Sequence, residues 1–578
     1  MKDRIQKFFK GDIDDSDETL TKYSRDASIF EVRPKLVVFP KDSTDIQNLV
    51  RFINTEKKAD PTLSLSVRAA GTCMSGGSLT ESIVMDVSRY MNKTPSVRRL
   101  APYAMLPHFP GAKEVTCSGE AIVEPGVFYR DLEAETLKND LLLPCYTASK
   151  SINAIGGMIG NNSGGELTLR YGKTEDYIKE LKIILADGYE YTIRPISRRD
   201  LYKLIAEPTH LGQAYKKALE ILESHKEEIK AARPRVSKNS AGYNLWNIES
   251  EIGGDTYYDF SQLFVGAQGT LGIVTEVTLR LVDVPKNRAM AVIFLNDLEH
   301  LPELVNEILP SAPESIESYD DKTLTLAVKF FPDFVGEKGL RDTIAFGLSF
   351  MPEFWMALTG GIPKMIMLVE YASEDPLESH AKAQSVIAIA EKYKARARVT
   401  KNLKESEKYW RMRRDSFALL RKHSGTKHTA PFIDDVIVPP SALPTFLPRV
   451  NAILAEYKDL MIYTIAGHAA NGNFHIIPLM DFSDPRVREV IIPISEKVYA
   501  LVNEYGGSIT AEHNDGIVRT PFLAGMFGEN VAELFREVKK AFDPETVFNP
   551  GKKVSVTKEY LLSHIETPKT ALANKHAS

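Results

Sequence analysis

The chain has 578 residues, of which 43% are hydrophobic and 26% charged, with a net charge of −5. That length and apolar share predict roughly two or three cored domains, and the slight acidity excludes a basic nucleic-acid-binding surface. Cys73, Cys117 and Cys145 lack Cys-x-x-Cys spacing, which excludes a disulfide framework or an iron–sulfur site and points to a reducing compartment.

The first ten residues lack the apolar core of a signal peptide. Residues 1–34 are charged and predict a helical arm. A short strand follows at 36–40, then a helix capped by Ser43 or Thr44 and running to about Glu56. Residues 63–78, Leu-Ser-Leu-Ser-Val-Arg-Ala-Ala-Gly-Thr-Cys-Met-Ser-Gly-Gly-Ser, form a strand delivering a loop of small residues. Such a loop lets backbone N–H groups approach a pyrophosphate closely. A Rossmann fingerprint must open a helix, but here another strand, 83–87, follows almost at once. No Walker A sequence is present.

A second small-residue stretch, 153–165, carries five glycines within 156–165. In a helix or strand each would cost about 0.5–1 kcal/mol relative to alanine, so a loop is expected. It would lie against a flat ligand, with Asn161, Asn162 and Ser163 at its polar edges, or else be a mobile surface loop. Strand 178–185 ends in the turn Ala186-Asp187-Gly188, and 213–232 has the periodicity of one surface helix. A glycine-bearing turn at 264–272 feeds an alternating strand to Leu281.

From Pro285 the texture changes. Strands at 289–295 and 365–371 and helices near 297–309 and 377–394 predict a separate α+β domain. The most apolar region, 345–371, is interrupted by Pro352, Glu353, Gly360, Gly361 and Pro363, so it predicts a surface patch or cap segment and not a membrane span. Arg411, Arg413 and Arg414 stand beside Trp410. They make either a solvated face or a fork for a carboxylate.

Two β-favouring runs flank Asn471-Gly472, the signature of a two-residue hairpin turn. Counting outward pairs His468 with His475, whose Cβ atoms would then be about 4.5–5.5 Å apart. Both rings could reach one zinc-like ion at about 2.1 Å, and a carboxylate at Glu512 would complete the set. His513 would remain as a base. A plain hairpin with two half-buried histidines is the alternative. A helix broken at Pro493, a helix near 529–541 and a turn at 542–551 follow, with disorder expected beyond about 565.

Taken in order, these segments resemble the FAD-linked D-2-hydroxy-acid dehydrogenases of the vanillyl-alcohol oxidase superfamily, over roughly residues 35–553. That group includes D-lactate dehydrogenases, glycolate oxidase flavoprotein subunits and D-2-hydroxyglutarate dehydrogenases. The resemblance implies an α+β fold. A two-part PCMH-type FAD-binding domain would span 35–284, an α+β substrate (cap) domain with an antiparallel sheet would span 285–505, and 506–578 would return to the FAD domain. It implies flavin contacts at Arg68, Ala70, Gly71, Thr72, Cys73, Met74, Ser75 and Gly76. Further contacts are implied at Pro144, at Gly156, Gly157, Asn161, Asn162, Gly164 and Gly165, at Gly272, Ile273 and Val274, and at Asn549. A divalent metal (zinc, manganese or iron) would sit on His468, His475 and Glu512. Arg413, with Arg414 beside it, would hold the substrate carboxylate, and His513 would be the catalytic base.

Departures sharpen these expectations. Residues 68–78 contain no histidine to tether flavin, so FAD is expected to be noncovalent. Asn471 stands where relatives usually carry aspartate, making the metal hairpin less acidic. Ile433 and Ile477 stand where relatives that take a second substrate carboxylate are polar, which favours a monocarboxylate such as D-lactate. D-2-hydroxyglutarate, glycolate, and an electron-relay subunit with a degenerate site are the alternatives. Residues 511–521 are most like members joined to, or working with, an iron–sulfur protein. The expected acceptor is therefore such a partner or a quinone, with the protein in the cytoplasm or peripheral at the inner membrane and 345–371 as one docking surface.

Overall fold

The computed structural model describes residues 1–105, 108, 114–321, 323, 362–423 and 427–566. Most of the apolar region expected as a docking or cap segment (345–361) and the tail from 567 onward lie outside the described residues. The chain divides into two units. One comprises Met1–Gly165, Tyr171–Val284 and the returning segment Ile509–Glu566, and the other Glu166–Arg170 and Pro285–Ser508. Helices and antiparallel sheets together make it an α+β protein.

In the first unit, strand Leu36–Phe39 is buried along its whole length and runs parallel to Ile83–Asp86, which pairs in turn with Leu65–Arg68. Continuous apolar runs suit such doubly covered parallel strands. Helix Ser43–Glu56 presents Ile46, Leu49, Val50 and Ile53 to this core, all fully buried. Asp42, and neither Ser43 nor Thr44, is its cap, accepting from the Asp45 N–H at 3.0 Å. The N-terminal segment is not a helical arm. Helices Lys2–Ile5 and Asp17–Tyr23 flank strand Asp12–Asp14, which pairs antiparallel with Leu36–Phe39. Buried Ile5 and Phe9 fasten it to the core.

A second sheet of this unit runs Ser96–Met105, Val115–Val123, Ile273–Asp283, Ile178–Ile184, Glu190–Ile193, all antiparallel. The helix expected over 213–232 is two, His210–Ser224 and Lys226–Ala232. His225 leaves helical geometry between them, its ring 3.1 Å from Glu228.

In the second unit the described strands form one antiparallel sheet: Arg396–Val399, Asn287–Leu295, Met365–Ser373, Ser315–Asp320, Met461–His468, Asn473–Met480, His428–Thr429. Val436–Ile437 also pairs with Asn473–Met480. Helix Pro376–Lys392 packs on strand Asn287–Leu295. Helix Arg486–Glu504 continues through Pro493, which forfeits only the bond to the preceding turn, while buried Ile491, Ile494 and Val498 hold it in place. No helix among the described residues is long and apolar enough to cross a membrane.

The His-bearing hairpin departs from the predicted register. Its loop is four residues, 469–472, so His468 lies opposite Asn473 and His475 opposite Ala466. The reason lies at Gly472, which has φ +71° and sits so close to Val438 that a Cβ would meet its carbonyl oxygen at 2.0 Å. The chain at 438 docks there through a Val438 N–H bond to the Gly472 carbonyl. The two histidines stay on one face but are diagonal neighbours, with ring centroids 5.4 Å apart.

Candidate active site

In the first unit the three glycine-bearing stretches converge, and Gln268 is where they meet. It is a buried residue at φ +51° that was not singled out from the sequence. Its Nε2 donates to Ser75 Oγ at 3.3 Å and to Asn161 Oδ1 at 3.1 Å. Its backbone N–H reaches the Gly160 carbonyl at 2.9 Å, and its Oε1 accepts from the Gly516 N–H at 2.9 Å. Asn549 closes the assembly from the returning segment, donating to the carbonyls of Gly77 and Gln268, both at 2.7 Å.

The glycines divide by purpose. Residues 155–161 are a helix, not the expected loop. A Cβ on Gly156 would meet the Pro125 carbonyl oxygen at 2.9 Å, and one on Gly165 the Tyr146 carbonyl oxygen at 2.1 Å. Close backbone packing outweighs the helix penalty at Gly156. Gly157 differs, since nothing lies within 4 Å of where its Cβ would be. A bare backbone facing open space beside Asn161 is what a flat ligand needs. Gly272 would strike Ile183 at 2.7 Å, so its small size serves the sheet, and Ile273 next to it is fully buried while Val274 is half-buried.

In the first loop, Gly71 and Gly76 take left-handed backbone at φ +73° and +77°, as only glycine does freely. Arg68 donates to the Arg25 carbonyl at 2.5 Å with its guanidinium over the Tyr23 ring, so the N-terminal segment backs this loop. Ala70, Thr72, Cys73 and Met74 are half-buried, while Ser75 and Gly76 are buried. Burial pushes the Cys73 thiol above its ordinary range. Pro144 and Gly164 are buried, and Asn162 caps the helix at φ +52° with its Oδ1 accepting from the Glu175 N–H at 3.0 Å. The residues therefore fit an FAD cradle.

The loop carrying Glu512 and His513 is fixed from below by buried lysines. Lys173 Nζ donates to the Ala511 carbonyl at 2.6 Å, and Lys553 Nζ pairs with Asp515 at 2.8 Å. Lys238, likewise unforeseen, lies 2.5 Å from the buried Glu512 carboxylate. His513 is half-buried, with a ring nitrogen within 4.8 Å of Glu512.

In the second unit each histidine of the hairpin has a carboxylate on its Nδ1. His468 Nδ1 is 2.5 Å from Glu317, and His475 Nδ1 is 3.2 Å from Asp434. An imidazole held this way presents its other nitrogen as a ligand, the usual surrounding of a metal-binding histidine. Asp435, at φ +68°, has a carboxylate oxygen within 4.8 Å of a His475 ring nitrogen. Asp434 and Asp435 both place carboxylates beside His475. Asp435 and His475 are donors of the kind a divalent cation takes, whereas His468 is not within the same close group of donor atoms.

The two arginine candidates separate. Arg414 is clamped by Glu166, with contacts of 2.6 and 3.2 Å, and lies over the Trp410 ring. Arg413 instead reaches Glu317 at 3.2 Å, the same carboxylate that holds His468. Ile433 is fully buried and has no surface to offer a substrate, whereas Ile477 is half-buried and shares the strand face of His475.

Comparison with known proteins agrees with this construction. Residues 34–194 match the FAD binding domain model, and residues 284–553 match the model for the C-terminal domain of FAD linked oxidases. The chain is 29% identical over 548 residues to a D-2-hydroxyglutarate dehydrogenase of Pseudomonas putida, covering 94% of this chain and 50% of that one. It spans about half the length of the first relatives that it matches. A D-lactate dehydrogenase of Archaeoglobus fulgidus is 24% identical over 523 residues, covering 90% of this chain and 91% of that one. In fold the chain is similar to p-cresol methylhydroxylase, with a TM-score of 0.63 at 15% identity over 95% of this chain and 94% of that one. With an FAD binding domain matched over 34–194 and the C-terminal domain of FAD linked oxidases over 284–553, the chain belongs to the FAD-linked oxidases and has the PCMH-type, or vanillyl-alcohol oxidase, fold.

Proposed function

We propose that the protein oxidises a D-2-hydroxy acid to the 2-keto acid, using noncovalent FAD and a divalent metal. One observation carries this reading: on one sheet face, two histidines are each backed by a carboxylate, and Arg413 stands on one of those same carboxylates. FAD held by the converging loops would supply a hydride acceptor, and a metal on His468, His475 and Glu512 would supply Lewis acidity toward the substrate's carboxylate and hydroxyl.

The protein's own residues do the rest. Arg413 pairs with the substrate carboxylate and fixes which C2 face is presented. His513 takes the hydroxyl proton as the C2 hydride departs, a role open to an imidazole near neutral pH. Glu317 and Asp434 keep the hairpin histidines oriented.

For the substrate we infer a small monocarboxylate, with D-lactate first. Ile477 beside His475 would leave a second carboxylate without compensation, costing a few kcal/mol. Ile433, fully buried, takes no part in this discrimination. D-2-hydroxyglutarate is the second reading, favoured by the activity that names the Pseudomonas putida relative. The electrons would pass to a cluster-bearing protein or a quinone, because the chain has three cysteines and a cluster usually takes four thiolates.

The test is anaerobic mixing of the flavin-loaded protein with a panel of 2-hydroxy acids while flavin absorbance is followed. D-lactate should bleach it, with kcat/KM above that for D-2-hydroxyglutarate, and acid precipitation should release the flavin. Bleaching by no 2-hydroxy acid sinks the activity, and preference for the dicarboxylate sinks the choice of substrate. Reoxidation by air as fast as by a quinone analogue would remove the partner.

A further inference from the structure

Glu317 lies on strand Ser315–Asp320, inside the sheet between Met365–Ser373 and Met461–His468. It is 1% exposed. A carboxylate so placed is costly to keep unless its oxygens are engaged by charged or hydrogen-bonding groups. Here the two oxygens are divided: Oε1 is 2.5 Å from His468 Nδ1, and Oε2 makes an ion-pair contact of 3.2 Å with Arg413 Nη2 that lacks hydrogen-bond geometry. One rigid group on a central strand therefore orients two residues with different duties. On the neighbouring histidine, Asp434 lies 3.2 Å from His475 Nδ1.

We propose that Glu317 is a positioning residue that links metal occupancy to recognition of the substrate carboxylate. This rests on the function proposed above for His468 and Arg413. With His468 Nδ1–H donating to Oε1, its Nε2 keeps the lone pair that a metal takes. The same carboxylate, anchored there, keeps its negative charge beside the Arg413 guanidinium through the ion pair. A shift at either end is passed to the other through a side chain with little room to move. The dependence is reciprocal: whatever factor the metal adds to carboxylate affinity, the carboxylate adds to metal affinity.

The experiment uses the full-length flavoprotein with zinc as the metal and oxalate as a carboxylate probe that is not turned over. Glu317→Gln keeps an amide oxygen for His468 Nδ1–H but sets a neutral group against Arg413. It should retain wild-type zinc per flavin while oxalate binding and the KM for substrate worsen at least tenfold, with kcat changed less than threefold. Glu317→Ala should lose zinc as well. Adding Arg413→Lys to Glu317→Gln should worsen oxalate binding no further than Arg413→Lys alone. Flavin per protein should be unchanged in every variant, because the glycine loops belong to the other unit. Oxalate affinity within twofold of wild type in Glu317→Gln, full zinc in Glu317→Ala, or additive losses in the double variant would each overturn the proposal. If the wild type bleaches with no 2-hydroxy acid, the proposed activity falls, but the zinc and oxalate measurements still decide the role of Glu317.

Discussion

Asn549→Asp, a change of one heavy atom, is expected to damage the first unit more than Asn549→Ala. The side chain is fully buried. Its Nδ2 donates to two carbonyls, those of Gly77 and Gln268, and its Oδ1 accepts from Ser66 Oγ, all at 2.7 Å. Alanine removes three buried bonds, a loss of about 3–5 kcal/mol at roughly 1–1.5 each. The left-handed backbone, φ +38°, adds about 1 kcal/mol, because asparagine tolerates it better than alanine. Aspartate keeps the Ser66 bond but turns a charged oxygen onto both carbonyls, at roughly 1–3 kcal/mol beyond the alanine loss. At about 2–4 °C per kcal/mol for a domain of this size, alanine should lower Tm by about 10–20 °C, and aspartate by more. Thermal unfolding followed by released flavin fluorescence reads this directly, with FAD per protein as a second measure. An aspartate variant that melts with the wild type, or above the alanine variant, would refute this account of the junction.

Lys238→Met leaves the Glu512 carboxylate buried without its cation and should destabilise by about 3–5 kcal/mol, with part of the loss recovered on adding Glu512→Gln. A double variant no more stable than Lys238→Met in urea melts would contradict this. Burial pushes the Glu370 carboxyl up to about 7 against the pull of Arg288, with Glu314 adding to the rise. The folded state then holds a proton that the unfolded chain releases from its ordinary 4.5, so stability falls as pH rises from about 4.5 to 7. Glu370→Gln should therefore be the more stable protein at pH 8 and show no such gain at pH 5, and equal gaps at both values would refute the assignment. His468→Ala, His475→Ala and Glu512→Ala should each lose metal while keeping FAD, whereas His513→Ala should keep both and slow flavin reduction about 10²–10⁴-fold. Loss of metal in His513→Ala with unchanged reduction would exchange the roles.

Glycine clusters, the His–Asn-Gly–His hairpin and the order of strands were readable because each is local. Small residues, turn pairs and two-residue alternation declare themselves within ten positions. What escaped was set by partners distant in the chain. Gln268, Lys238 and Glu317 are single polar residues whose meaning comes from Gly516, Glu512 and Arg413, each far away in sequence. The hairpin register slipped because Gly472 answers to Val438 and not to its own turn. The small size of Gly156 and Gly165, read from the sequence as room for a ligand, is also required by the carbonyls of Pro125 and Tyr146. Glu317 did leave one trace, a charge in the run Ser-Ile-Glu-Ser-Tyr-Asp of a strand otherwise fit for burial, where lone acids are rare.

The returning segment also governs when the flavin unit can form during synthesis. Strand Leu65–Arg68 receives Phe548 alongside it, and Ser66 bonds to Asn549 across 483 positions. At about 5–20 residues per second, the early strands wait on the order of tens of seconds for that partner. Almost all of the second unit, Pro285–Ser508, is contiguous and emerges whole before the junction does. The described second unit is thus complete in sequence before the strand partner Phe548 of the FAD-binding unit is made. During the interval, apolar parallel strands stand incomplete, which makes chaperone supply and riboflavin status during expression a determinant of yield. A nascent chain stalled before position 548 should take up no FAD, while its described strand Asn287–Leu295 and helix Pro376–Lys392 should already resist protease.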